Sequence, residues 1–352
     1  MSRQQIYLFR REAKSGGAEV AANRLAKQFK NLSFDVIKVR AGDIIGGHRI
    51  GGRTGPGWLR LIRYAISSNR LIQSLDAGVL SFSLERGVKA DIYRAGEGVH
   101  LAWLSRKGVF RSLLSFRILH PVAMVLEAMT LKSARKIVAN SFLIASELAE
   151  YYPQYAGKVE VIENGFDPKK FFVDSAVGDD DVKMLCFAGN GWERKGLVEA
   201  LKLLAQLPQD WRLSVLGKGD AGRYSQIAKE IGVADRVEFF GEVSEPEKWF
   251  RKAHVFILPT LYDPFSNACL EAMACGCAVI TTSNNGFSSL VEQGVNGYLL
   301  DQPFSKSVSD WCEERSPSDR IEIADSIKGF TILDESDKYA EVFREFGKTR
   351  NQ

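Results

Sequence analysis

The chain has no apolar run near the roughly 18 to 20 residues that a bilayer-spanning helix needs. Its first apolar stretch, "IYLF", stops after four residues at Arg10 and Arg11, too short for a signal-peptide core, so a cytoplasmic location is expected. Internal repeats and low-complexity tracts are absent, which excludes solenoid, collagen-like and largely disordered classes. No G-x-x-x-x-G-K-[ST] occurs, which disfavours a P-loop hydrolase. No G-x-G-x-x-G follows the first apolar run, which disfavours a dinucleotide oxidoreductase. The five cysteines, Cys186, Cys269, Cys275, Cys277 and Cys312, are an odd set, as suits reduced and mostly buried thiols. Cys275 and Cys277 form a lone C-x-C without a second pair or a nearby His, too little for a metal site.

What is present begins with charge of one sign in one place. The net charge is +4 over 352 residues, yet residues 1–165 hold 25 Lys and Arg against 13 Asp and Glu, a net of +12 that leaves −8 for the remainder. A basic half suits nucleic acid, an acidic membrane surface or a phosphorylated substrate, and no nucleic-acid-binding motif accompanies it. Between Gly98 and Leu126 there is no acidic residue, while Trp103, Arg106, Lys107, Phe110, Arg111, Phe116 and Arg117 mix aromatic and basic side chains. That mixture, repeated in "WLRLIRY" at 58–64, fits a segment lying on anionic lipid. A helix packed by its apolar face is the competing explanation.

Short β-branched and aromatic runs alternate with helix-like segments: "QIYLF", "FDVIKV", "GVLSF", "KIVAN" and "VEVIE", then "KMLCFAG", "RLSVLG", "RVEFFG", "HVFILP" and "AVITT". The alternation predicts α/β structure with two doubly wound parallel sheets, which collect ligands outside the carboxyl ends of their strands. The turn residues of "ENGFDPKKFF" place the seam there, giving domains at 1–165 and 166–330 with a terminal segment at 331–352. Asp179 and Asp181 make a D-x-D that could hold a divalent ion, although a solvated turn is the simpler explanation.

Three motifs lie where a strand hands over to a helix, a place that favours anions. "SGGAE" offers Gly16 and Gly17 for close backbone approach. "FAGNGWERKGL" offers Asn190, Gly191 and two cations, Arg194 and Lys195, in the first turn of the next helix. There the helix dipole disfavours them unless an anion such as phosphate is bound. "YDPFSNACLEAMACGCAVI" predicts a loop, a helix from about Ser266 to Cys275, a Gly276 stop and a strand. Glu271 is its only charge after Asp263, and a half-buried carboxylate needs donors such as ribose hydroxyls. The amides of Phe265, Ser266 and Asn267 could meet phosphate at the helix start, and "NNGFSS" supplies another glycine-bearing helix start. Together these features outline a site for a nucleotide diphosphate.

On these residues the sequence resembles the retaining glycosyltransferases of family 4. Asp263 and Glu271 stand where that family has its E-x7-E signature, with Asp replacing the first Glu, and "LEAMACG" and "VIENGFDPKKF" match its usual wording. The resemblance implies a GT-B fold, two Rossmann-like domains facing a cleft, with an acceptor-binding N-terminal domain, a nucleotide-sugar-binding C-terminal domain and a last helix returning to the first. It makes Arg194 and Lys195 the cations on the donor diphosphate and Glu271 the ribose ligand. Asp263 falls beside the donor sugar, and Gly16 and Gly17 lie near phosphate and acceptor.

Residues 91–108, "DIYRAGEGVHLAWLSRKG", look most like lipopolysaccharide core glucosyltransferases, and make Glu97 and His100 the acceptor-side candidates, with Glu97 a possible catalytic helper. The implied reaction is metal-independent transfer of a hexose, glucose first, from a UDP-sugar to a lipopolysaccharide core or related glycan at the cytoplasmic face of a membrane. No further cofactor is implied. A UDP-sugar epimerase of the same fold and a non-catalytic nucleotide-sugar-binding protein are the alternatives.

Overall fold

The computed structural model describes residues 4–11, 17–41, 47–51, 55–76, 78–106, 118–174, 183–300, 306–316 and 318–349. Two compact units divide the chain: residues 1–163 with 333–352, and residues 164–332. The first unit begins with β1 (Gln5–Phe9), α1 (Gly17–Asn31), β2 (Asp35–Arg40), β3 (Gly47–Arg49), α2 (Gly57–Gln73) and β4 (Leu80–Ser83). It continues through β5 (Ile92–Arg94), α3 (His100–Arg106), α4 (Leu119–Ser133), β6 (Lys136–Ala139), α5 (Phe142–Tyr151) and β7 (Val159–Val161). The second unit holds β8 (Lys183–Ala188), α6 (Trp192–Lys195), α7 (Leu197–Gln206), β9 (Trp211–Leu216), α8 (Ala221–Ile231) and β10 (Val237–Gly241). After these come α9 (Glu247–Lys252), β11 (Val255–Leu258), α10 (Asn267–Ala274), β12 (Ala278–Thr281), β13 (Gly297–Leu299), α11 (Lys306–Glu313) and α12 (Asp319–Asp325). The last helix is α13 (Ile332–Thr349).

Both sheets are parallel, with strand orders β3-β2-β1-β4-β5-β6-β7 and β10-β9-β8-β11-β12-β13. Central strands such as β4, "LSFS", and β11, "VFIL", are buried along their whole length, because helices cover both faces of a parallel sheet. Strand order reverses between β1 and β4 in the first sheet and between β8 and β11 in the second. In sheets of this kind the crevice beyond the carboxyl ends of such a pair is where ligands bind.

Residues 333–352 belong to the first unit, where Tyr339 and Phe343 of α13 join a core with Phe29 and Phe82. The rings of Phe29 and Phe343 meet edge-on at 4.8 Å. The seam after Gly165 needs correction, because Asn164 and Gly165 lie in the second unit. Phe166 N–H donates to Phe330 O at 2.9 Å and Ile332 N–H donates to Phe166 O at 2.9 Å, tying both ends of that unit together. A side chain on Gly165 would meet Thr331 O at 2.2 Å. The strands absent from the sequence reading, β3, β5 and β13, have three residues each, too few for a period-2 pattern to register.

Candidate nucleotide-diphosphate site

At the switch point of the second sheet, the turn after β8 and the loop after β11 meet. Gly191 takes a left-handed conformation, φ 74°, which only glycine adopts cheaply. Gly189 has the other use of a missing side chain: a Cβ there would stand 3.3 Å from Lys195 Cε, so the lysine stem lies across the turn. Trp192, between them in sequence, is buried and meets Tyr224 edge-on, anchoring α6 to the core.

Sequence spacing predicts that Arg194 and Lys195 open a helix. Instead they close one. α6 is a single turn ended by Gly196 at φ 82°, and α7 starts afterwards, so the dipole argument for a phosphate reverses at these two positions. Gly196 is required because a Cβ would strike Pro259 O at 2.1 Å. What fixes the cations is the neighbouring loop. Arg194 Nη1 donates to Tyr262 O at 2.7 Å, leaving the rest of its five-donor fork uncommitted to that bond. Lys195 Nζ forms an ion pair with Asp263 Oδ2, and the two side chains are only 12% and 11% exposed.

Asp263 is itself held tightly. Its N–H donates to Asn284 O at 3.0 Å, and its carbonyl accepts from Gly286 N–H at 2.8 Å. Asn285, fully buried, organises the same corner: Oδ1 accepts from Ser266 and Phe287 N–H at 3.1 and 3.2 Å, and Nδ2 donates to Thr281 Oγ1 at 2.9 Å. The Ser266 amide therefore serves Asn285, which corrects its assignment to phosphate. Ser266 Oγ caps α10 by accepting from Cys269 N–H, and Gly276 stops the helix at φ 84°, as the motif predicts. Phe265 is buried against Phe287, Asn267 Oδ1 accepts from Asn164 Nδ2 at 2.6 Å, and Glu271 is half-buried on α10. Cys275 and Cys277 are buried; burial pushes the Cys275 thiol up to about 12 and raises Cys277 as well, so neither is a ready thiolate ligand.

The first sheet carries a second ionic corner at its own switch point. Arg10, just past β1, pairs with Glu85 at 3.0 Å beyond β4 and with Glu97 at 2.7 Å. Arg86 reaches Glu97 at 3.5 Å, Glu127 at 2.8 Å and Gly98 O at 2.7 Å. Buried Glu127 on α4 also accepts from His100 N–H and from Tyr152 Oη at 3.0 Å, and so holds the start of α3. Burial opposes charge on Glu97, but Arg86 and Arg10 outweigh it and keep its carboxyl below the usual range. Burial drives Glu85 upward instead, with the Glu97 charge adding to it. A depressed Glu97 is a weak base, which counts against proton abstraction, while 38% exposure of its side chain leaves it able to accept a hydroxyl hydrogen bond. His100 Nε2 lies 3.2 Å from His120 Nδ1, and burial, Arg86 and His120 lower it to about 4.

Arg86, Glu85 and Glu127 are absent from the sequence reading, which names Arg10 only as the end of the first apolar run and Asn285 only within "NNGFSS". Only a buried-polar signal, the second Asn of "NNGF" between apolar runs, points to one of them. Trp103 packs against both the His100 and His120 rings and Arg106 pairs with Glu147 at 2.6 Å, so both have protein partners. Gly16, Asp179, Asp181, Lys107, Phe110, Arg111, Phe116 and Arg117 lie outside the described residues, and Gly17 is the first residue of α1.

The model of the family glycosyl transferases group 1 matches residues 169–324, nearly the whole second unit. That unit is a glycosyltransferase group 1 domain. A D-inositol 3-phosphate glycosyltransferase of Pseudarthrobacter chlorophenolicus is 31% identical over 197 residues, 51% of this chain and 46% of that protein. The lipopolysaccharide glucosyltransferase WaaG of Escherichia coli K12 is 20% identical over 258 residues, 69% of this chain and 68% of its own. The chain thus spans about half the length of the first curated relatives it matches.

Among solved structures, WaaG superposes with a TM-score of 0.79 at 16% identity over 96% of this chain and 99% of that one. Anabaena HepE, solved with UDP and glucose, gives 0.74 at 18% identity over 97% of this chain and 100% of that one. With sheets of seven and six parallel strands, the fold is GT-B.

Proposed function

We propose that the protein is a retaining glycosyltransferase that moves a hexose, glucose first among candidates, from a UDP-sugar to a lipopolysaccharide core or related glycan. The observation that carries this reading is the corner of Arg194, Lys195 and Asp263 at the switch point of a glycosyltransferase group 1 domain. Negative charge builds on the departing diphosphate as the sugar becomes oxocarbenium-like. Arg194 and Lys195, positioned before the donor arrives, stabilise that charge without a metal. Glu271 takes the ribose hydroxyls, Asn190, Gly191, Phe265 and Asn267 line the phosphate path, and Asp263 faces the sugar. The complex of HepE with UDP and glucose supports a UDP-sugar donor, and the named activity of WaaG supports the acceptor class.

On the acceptor side, Glu97 and His100 orient the incoming hydroxyl. A neutral His100 can accept a hydrogen bond at physiological pH, and the donor phosphate takes the proton that ion-paired Glu97 is too weak a base to remove. Docking on an anionic membrane involves the exposed faces of α2 and α4, where Arg63, Ile66 and Arg70 on α2, Ile118 just before α4, and Val125 and Met129 on α4 are exposed. No helix of the described residues is long and apolar enough to cross a membrane.

Calorimetric titration with UDP-, GDP- and ADP-sugars in EDTA, beside Glu271→Ala, tests the donor reading. Binding of one UDP-sugar that is lost in the variant is expected. Silence across the panel would refute a metal-independent donor site.

A further inference from the structure

Lys195 and Asp263 stand 68 positions apart in the chain, so the place of their pair depends on what holds the loop after β11. On one side that loop is tied to α6. Arg194 O accepts from Leu261 N–H at 2.9 Å and from Thr260 Oγ1 at 3.1 Å. On the other side it hangs on the turn after β12, where the bonds of Asp263 with Asn284 and Gly286 make a parallel bridge between Asp263 and Asn285. The turn therefore grips the backbone of Asp263 and leaves its carboxylate to Lys195.

One buried side chain holds the turn itself. Asn285 is fully buried, and its amide offers two donors and two lone pairs. Both lone pairs are taken by the N–H groups of Ser266 and Phe287, while Nδ2 donates to Thr281 Oγ1 at 2.9 Å and to Cys269 Sγ at 3.4 Å. With every bonding position filled, a flipped amide would set its NH2 against two backbone donors, so only one orientation fits. The amide thereby joins the end of β12, its own turn, α10 and the loop that bears Asp263. Thr282 adds a second tie: its Oγ1 donates to Thr260 O at 2.6 Å, and Thr260 in turn bonds Arg194 O. Among the described residues, no hydrogen bond or ion pair joins Asn285 or Thr282 to Lys195 itself.

We propose that Asn285, with Thr282 behind Thr260, is a positioning residue: it fixes Asp263 at the switch point of the second sheet and, through Asp263, the resting place of the Lys195 ammonium. Without the amide, the buried N–H groups of Ser266 and Phe287 lose their acceptor, the turn loosens and Lys195 is released toward solvent. That placement stands by itself; only its consequence for a nucleotide donor rests on the proposed glycosyl transfer.

The test reads Lys195 directly, by acetylation of the ligand-free protein with dilute acetic anhydride and mass spectrometry of each lysine. The Lys195 side chain is 12% exposed against 51% for Lys202, so in the parent it should react more slowly. Asn285→Ala should speed Lys195 by about tenfold and Thr282→Val, which swaps a hydroxyl for a methyl, by roughly threefold, in keeping with the buried hydrogen bonds each removes. Lys183, at the opposite end of β8 from the turn, should keep its parental rate in both. An unchanged Lys195 rate in folded Asn285→Ala overturns the positioning role. So does a Lys183 rate that rises in step with Lys195, because the whole unit then opens. Should Asn285→Ala not fold, Thr282→Val decides: a parental melting temperature with a faster Lys195 supports the role, and an unmoved Lys195 overturns it.

Calorimetry with UDP-glucose joins the role to the donor site. Asn285→Ala should weaken binding by roughly fivefold alone and add no loss to Lys195→Ala, because it acts through that lysine. Additive losses overturn the route through Lys195. If UDP-glucose binds to none of the proteins while Lys195 still quickens in Asn285→Ala, the donor reading falls and the positioning role stands.

Discussion

The two sheets solve the same geometric problem with opposite electrostatics. Each places a cation and a carboxylate across its switch point, Arg10 with Glu85 in the first and Lys195 with Asp263 in the second. Among the described residues, the pair in the second unit has no further ionic partner, and the arginine beside it is tied to a neutral carbonyl. In the first, Arg10, Arg11 and Arg86 share Glu85, Glu97 and Glu127 in one connected network. A solitary pair can be opened by an incoming anion that replaces one carboxylate. A network resists, because displacing one member leaves several buried charges short of partners. The contrast suggests that the second corner exchanges charge with a ligand while the first holds a loop in place.

Substitutions can break that contrast. The largest effect is expected from Lys195→Ala, which removes the cation proposed to face the leaving diphosphate and should lower turnover by about a hundredfold or more; single-turnover kinetics that change less than tenfold would mean that the second corner is structural. Next comes Glu85→Gln, which removes a buried carboxylate from its pairings with Arg10 and Arg11 and should destabilise the fold by about 3 kcal/mol in denaturant titration. Its UDP affinity should stay at the parental value, and a drop there would erase the division of labour. Glu97→Gln should reduce turnover roughly tenfold, the low end for a positioned polar group, with KM for the acceptor changing more than KM for the donor.

The smallest effect concerns His100. Its folded value lies at about 4 against 6.5 for the unfolded chain, so between those limits the unfolded state binds more protons. Its contribution to stability is full above pH 6.5 and falls as pH drops toward 4. Ring-proton NMR should show one histidine titrating near 4, and a His100 midpoint near 6.5 would contradict the packing against Arg86 and His120.

Much of the second unit was legible in advance. Alternating apolar runs gave its central strands, Ser266 and Gly276 gave both ends of α10, and the Asp263 to Glu271 spacing gave the family resemblance, since each is a local pattern. The helix position of Arg194 and Lys195 was misread because Gly196 turns left-handed and cuts one helix into two, a choice forced by Pro259 from another strand's loop. The first unit was less legible. Glu97 and His100 were found by resemblance, but Glu127, 27 residues beyond His100 in the chain, had no local signal to connect it with them.

By itself, the sequence determined the α/β class, the two parallel sheets and the glycine-rich turns, because periodicity, capping and backbone freedom act over a few residues. Tertiary structure decided which charges meet: Lys195 with Asp263 across 68 positions, Arg10 with Glu97 across 87. Electrostatic energy depends on distance and burial in space, and neither follows from spacing along the chain.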